Sequence, residues 1–193
     1  MSYRSGEKFT ILTVCTGNIC RSPAAERLFR SAFGDEVSVT SAGTGALVGE
    51  PIHGPMADLL RDIDVDVEDF AAKILTEEII GQADLVLPMT REHRGAVVEL
   101  VPGAVKRTFT LREFARLVSK VDRAELEQAT GPEPTPASRL AALVTLAGRH
   151  RTPVEPELDD VVDPFRRELS VYQESFDQIL PAARTIARAS LNL

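Results

Sequence analysis

The sequence predicts an α/β protein: a four-stranded parallel sheet with helices on both faces. Short apolar, β-branched runs alternate with stretches of helical periodicity, the order that gives βα units joined by right-handed crossovers. One run, "ADLVLPM" (83–89), is apolar almost throughout, as a strand buried on both faces must be. The 193 residues are 44% apolar and 26% charged. That is a soluble globular balance, enough for one domain over residues 1–193.

"FTILTV" (9–14) reads as the first strand and ends at Cys15. In the next stretch, "SPAAERLFRSAF", Ser22 stands where an N-cap belongs and Pro23 just inside. Glu26 falls in the first turn, and Leu28, Phe29 and Phe33 follow at helical spacing. "VSVTSAGTG" (37–45) is a second strand running into a Gly-rich turn, with a helix after it around 55–61. "ADLVLPM" is the third strand, followed by a helix over about 91–100. "AVKRTFT" (104–110) is expected to be the fourth.

Beyond it, "LREFARLVSKVDRAELEQ" and "PASRLAALVTLAGRH" are helical in period, but "ATGPEPTP" and "RTPVEPELDD" break them with prolines and acids. The segment at about 111–158 therefore reads as a helical insertion before the last helix. That last helix is expected over about 165–189, with Leu169, Tyr172, Phe176, Ile179, Leu180 and Ile186 as its apolar face.

Composition narrows the function. No stretch approaches the roughly 20 apolar residues of a membrane helix, and "MSYRSGEKFT" lacks an apolar signal segment, so a cytoplasmic location and no membrane partner are expected. A net charge of -7 argues against nucleic acid as partner. His53, His93 and His150 lie far apart without metal-ligand spacing. Surface or loop roles are expected for them, and neither a metal nor a cofactor.

Both cysteines fall inside one short loop, "VCTGNICRSPAAERLFR" (14–30). In a reducing compartment such cysteines point to reactivity rather than structure. A loop between a strand end and a helix start aims successive N–H groups and the helix dipole at one spot, where a phosphate dianion can sit. Gly17 and Asn18 can take the left-handed angles that curl such a loop. Arg21 offers a planar fork to two phosphate oxygens, and the same field favours a thiolate at Cys15. A thiolate held beneath phosphorus is a nucleophile.

"CTGNICRSP" resembles the phosphate-binding loop of the low-molecular-weight protein tyrosine phosphatases. "TSAGT", "ADLVLPM" and "VVDPF" resemble further landmarks of that family in the same order, so the resemblance covers nearly the whole chain. It implies a flavodoxin-like three-layer sandwich and a metal-free hydrolysis of phosphotyrosine, or related aryl phosphates, on a phosphorylated protein. Thr16, Gly17, Asn18, Ile19, Cys20, Arg21 and Ser22 would bind the phosphate, with Cys15 as nucleophile and Arg21 as clamp. Ser22 would hydrogen-bond the thiolate, Asn18 and Ser41 would pair to hold the loop, and Asp163 would be the general acid. For Cys20 the resemblance implies a reversible disulfide with the nucleophile under oxidants; a small residue packing the loop is the other reading.

The chain also departs from the pattern. The substrate slot keeps one aromatic wall in Phe165, but Arg166 and Leu47 stand where many members have aromatics. Phe70 occupies the place of a supporting histidine, and Thr90 follows Met89 where an aspartate is common. Three rival readings remain. Arsenate reduction through a thioredoxin cascade would need cysteines after Cys20, and none occurs. Phosphoarginine hydrolysis belongs to a branch with threonine at the position of Ile19, whose side chain cannot address a guanidinium. The third is a phosphoprotein-binding or redox-sensing module without turnover.

Overall fold

The computed structural model describes residues 8–191. Its centre is a three-stranded parallel sheet in the order β2-β1-β3, formed by β1 (Phe9–Cys15), β2 (Val37–Gly43) and β3 (Leu85–Pro88). The register runs from Phe9 opposite Val37 to Cys15 opposite Gly43, and from Ile11 opposite Leu85 to Val14 opposite Pro88. The expected fourth strand at 104–110 does not form, which corrects the four-stranded sheet. Pro102–Arg107 winds into a 3-10 turn, closed by the Thr108 hydroxyl donating to the Ala104 carbonyl at 2.8 Å. Only a single parallel bridge, Val86 to Thr108, reaches the sheet before the next helix begins at Leu111. The β-branched residues are present, but the extended stretch left to them is too short to make a ladder.

Helices cover both faces, as the sequence predicts. They are α1 (Arg21–Phe33), α2 (Gly54–Arg61), α3 (Glu77–Gln82), α4 (Arg91–Leu100), α5 (Leu111–Val118), α6 (Arg123–Thr130), α7 (Pro136–Arg149), α8 (Pro156–Asp159) and α9 (Leu169–Leu191). The two-residue period of a strand sends alternate side chains to opposite faces. Phe9, Ile11 and Cys15 join Leu85, Leu87 and Met89 in one core with α1, α2, α5, α7 and α9. Leu12, Val14 and Val86 join a smaller one with Ile80 of α3, Val97 of α4 and Ala104.

The 111–158 segment forms four helices, α5 to α8, and buries Phe114, Leu117, Leu126, Leu140 and Leu143 in the larger core. The last helix starts at Leu169 rather than near 165, because 163–168 is turned. There Phe165 N–H donates to Asp163 Oδ1 at 3.2 Å, Arg167 N–H to the Pro164 carbonyl at 2.9 Å, and Arg166 has φ 59°.

Candidate active site

The site lies where β1, the middle strand, ends. Cys15 is its last residue, and the loop that follows leads directly into α1, which begins at Arg21 with Cys20 at the N-cap. Threonine or aspartate side chains cap α3 to α7, at Thr76, Thr90, Thr110, Asp122 and Thr135. No side chain caps α1. Its first-turn N–H groups, which a helix cannot satisfy internally, are left for an anion. Ser22 is therefore not the N-cap that its place beside Pro23 suggests; its hydroxyl turns back and lies 2.9 Å from Cys15 Sγ.

One chain of hydrogen bonds fixes the loop. Asn18, at φ 54°, takes the left-handed backbone that the sequence allows to Gly17 and Asn18, and of the two it alone does so. Its amide nitrogen donates to Ser22 Oγ at 3.0 Å and to Ser41 Oγ at 2.8 Å, while its carbonyl oxygen accepts from Lys73 N–H at 2.9 Å. Because Ser22 Oγ accepts from Asn18, its single proton is free to point at a Cys15 thiolate. Ser41 in turn donates to Glu26 Oε2 at 2.6 Å. Buried Glu26, which the sequence marks only as a first-turn acid, thus anchors the network and pairs with Arg30 at 3.3 Å.

Arg21 is buried beneath the loop. Its Nη1 donates to the Val161 carbonyl at 3.2 Å, and its Nη2 lies 2.9 Å from Asp163 Oδ2. Its Nε is buried with no partner among the described residues, and a buried donor in that state calls for a ligand. A cleft of about 150 Å3 brings Cys15, Arg21 and Asp163 together with Leu47 and Phe165 in its walls.

Arg166 is not a wall of that cleft. Its guanidinium sits 5.1 Å from the centroid of the Phe165 ring, which also makes a T-shaped contact with His53 at 5.8 Å. His53 also stacks on Tyr172 and is hydrogen-bonded to its hydroxyl at 3.0 Å. Phe70 serves elsewhere too, with the Arg27 guanidinium 5.7 Å from its ring.

Of the three histidines, His53 lies in the loop before α2 and His150 in the turn after α7, as expected, but His93 departs from a surface or loop role. His93 is buried, with Nε2 2.9 Å from the hydroxyl of Thr16, the residue after Cys15, and Nδ1 2.9 Å from Thr90 Oγ1. Thr90 thereby has two functions, capping α4 and orienting His93. Burial, with the Arg21 charge second, pushes His93 down to about 4, so the ring is neutral at pH 7. Cys20 is pushed up to about 12, mainly by burial and then by Cys15 and Asp163. Both cysteines are free, and Cys20 stays a thiol at pH 7.

The low molecular weight phosphotyrosine protein phosphatase model matches residues 10–128 of this chain. The chain belongs to that family. A probable low molecular weight protein-tyrosine-phosphatase, EpsP of Ralstonia nicotianae, is 30% identical over 88% of this chain and 88% of its own length. The low molecular weight protein-tyrosine-phosphatase Etp of Escherichia coli is 39% identical over 54% of this chain and 70% of its own. Among solved structures, the tyrosine phosphatase AmsI of Erwinia amylovora shares the fold at TM-score 0.69, with 21% identity over 97% of each chain. The arginine phosphatase YwlE of Geobacillus stearothermophilus aligns at TM-score 0.67, with 28% identity over 93% of this chain and 91% of its own. As a member of this phosphatase family the chain falls among hydrolases. None of its described helices is long and apolar enough to cross a membrane.

Proposed function

We propose that this chain hydrolyses phosphotyrosine on protein substrates through a cysteinyl-phosphate on Cys15. The observation that carries this reading is the convergence of Cys15, Arg21 and Asp163 on one cleft at an uncapped helix start. The phosphate takes the loop and first-turn N–H groups from Thr16 to Ser22, and Arg21 clamps two of its oxygens. Cys15 Sγ attacks phosphorus in line as the bond to the aryl oxygen breaks, and Asp163 gives its proton to the leaving phenolate. Asp163 then takes a proton from water as that water attacks phosphorus. The S–P bond breaks, returning the Cys15 thiolate and free phosphate.

A hydroxyl donor at Ser22 suits both states of the sulfur, and Asn18 and Ser41 hold the loop through which the amides point inward. Leu47 and Phe165 would flank the aryl ring. One domain with the 111–158 segment inserted, acting in the reducing cytoplasm where a reactive thiol survives, completes the proposal. Phosphate release from phenyl phosphate in chelator, by wild type and by Cys15→Ser, tests it. Turnover that vanishes in the variant supports the reading, and its persistence would sink it.

The likeness to an arginine phosphatase raises phosphoarginine as a second substrate. Against it, Ile19 lines the cleft and presents no polar atom to a guanidinium. Competition between a phosphotyrosine and a phosphoarginine peptide decides the order, with phosphotyrosine expected to be preferred and Ile19→Thr expected to narrow the gap.

A further inference from the structure

A second, open cleft of about 380 Å3 has Arg112 and Arg116 of α5, Leu158 of α8 and Gln178 of α9 in its walls. Val161 packs into the larger core, and polar ties hold the residues on either side of it. Arg112 Nη1 donates to the carbonyls of Glu157 and Asp160, each at 2.6 Å. Arg116 grips the Asp159 carboxylate at 3.1 Å, and Thr110 Oγ1 donates to the Asp159 carbonyl at 2.7 Å. Arg91 N–H donates to Asp160 Oδ1 at 2.7 Å. These four all stop at residue 160.

Val161 is held on both sides, its N–H donating to the Met89 carbonyl at 2.9 Å and its carbonyl accepting from Arg21. Val162, the residue before Asp163, donates its N–H to Oε1 of Gln178 at 2.9 Å. A bound phosphate competes for the guanidinium that holds the Val161 carbonyl and the Asp163 carboxylate, so those two ties weaken when substrate arrives. The bond to Gln178 uses no atom of Arg21, and Gln178 lines the other cleft rather than the one that holds Cys15, so it does not.

On the phosphatase reading above, we propose that Gln178 is the positioning residue of the general acid: through the Val162 N–H it keeps Asp163 at the leaving oxygen once Arg21 has turned to the phosphate. A displacement of about 1 Å at a reacting group is enough to cost a large rate factor. Gln178 does not touch the phosphate or the sulfur, and its effect passes wholly through the acid. It therefore matters for poor leaving groups and hardly at all for good ones.

The test is kcat/KM on phenyl phosphate, which needs a proton on its leaving oxygen, and on a dinitrophenyl phosphate, which does not. Gln178→Leu, which removes the acceptor at similar size, is expected to lower the first about tenfold or more and leave the second nearly unchanged. Gln178→Glu, which keeps an acceptor, is expected to restore the first. Gln178→Ala, which only enlarges a cleft already open, is run alongside so that poor folding of the leucine variant does not decide the result. Equal losses on both esters, no loss on either, or no rescue by glutamate would overturn the proposal. Wild type that turned over neither ester would strike the phosphatase reading itself and this inference with it.

Discussion

Asp163 Oδ2 lies 2.9 Å from Arg21 Nη2, so the proposed acid and the proposed phosphate clamp are paired before any substrate arrives. The pair is lopsided: the Arg21 side chain is 5% exposed and that of Asp163 54%. A phosphate dianion that takes the guanidinium releases the carboxylate beside the leaving oxygen.

Asp163→Asn keeps the shape and loses the proton. Its kcat/KM on phenyl phosphate is expected to fall roughly a hundredfold to ten-thousandfold, with a far smaller fall on a dinitrophenyl ester. Wild type is expected to give a bell-shaped profile, because one group must give a proton while the other has lost its own. A flat wild-type profile between about pH 5 and 8 would contradict this pairing of roles.

His93 ties pH to stability. Its folded value, about 4, lies below the ordinary 6.5, so between those two values the unfolded chain binds more protons than the folded one. Stability from this group is therefore complete above pH 6.5 and falls as pH drops toward 4, by up to about 3 kcal/mol. Thermal melts across that window are expected to show a smaller acid loss in His93→Gln than in wild type. Equal slopes would remove His93 as the cause.

Cys20, pushed up to about 12, is expected to resist iodoacetamide at pH 7. Mass spectrometry should find one alkylated site, Cys15, with inorganic phosphate slowing the reaction. Modification of Cys20 at the same rate would contradict the thiol state assigned to it.

Gly43 lets the loop close. A Cβ there would lie 2.3 Å from the Thr16 carbonyl oxygen and 3.0 Å from Asn18 N, both backbone atoms that cannot turn aside. Gly43→Ala is expected to cost about 1–3 kcal/mol, together with a loss of turnover. Denaturant melts and phosphate release check the two effects, and a variant with wild-type values for both would show that the loop yields.

What the sequence discloses here is what chain order brings together. Cys15, Asn18, Arg21 and Ser22 lie on one contiguous stretch whose spacing already describes a loop, and Asp163 is marked by the proline after it. Glu26, His93 and Gln178 look like ordinary helix residues because their partners lie 15, 77 and 16 positions away. Only tertiary structure shows that they meet. The missing fourth strand fails for the opposite reason: "VKRTFT" carries real β propensity, but Pro102 and the Thr108 hydroxyl favour a tight turn locally, and the turn wins.

The side chain of Asn18 joins three distant parts of the chain, the loop itself, Ser41 on β2 and the backbone at Lys73. A partly folded molecule in which any one of these has yet to dock holds a floppy loop whose amides do not converge. Catalytic competence is thus among the last properties the chain acquires as it folds and among the first it gives up. In a refolding experiment, recovered turnover counts finished molecules and ignores those that are merely compact.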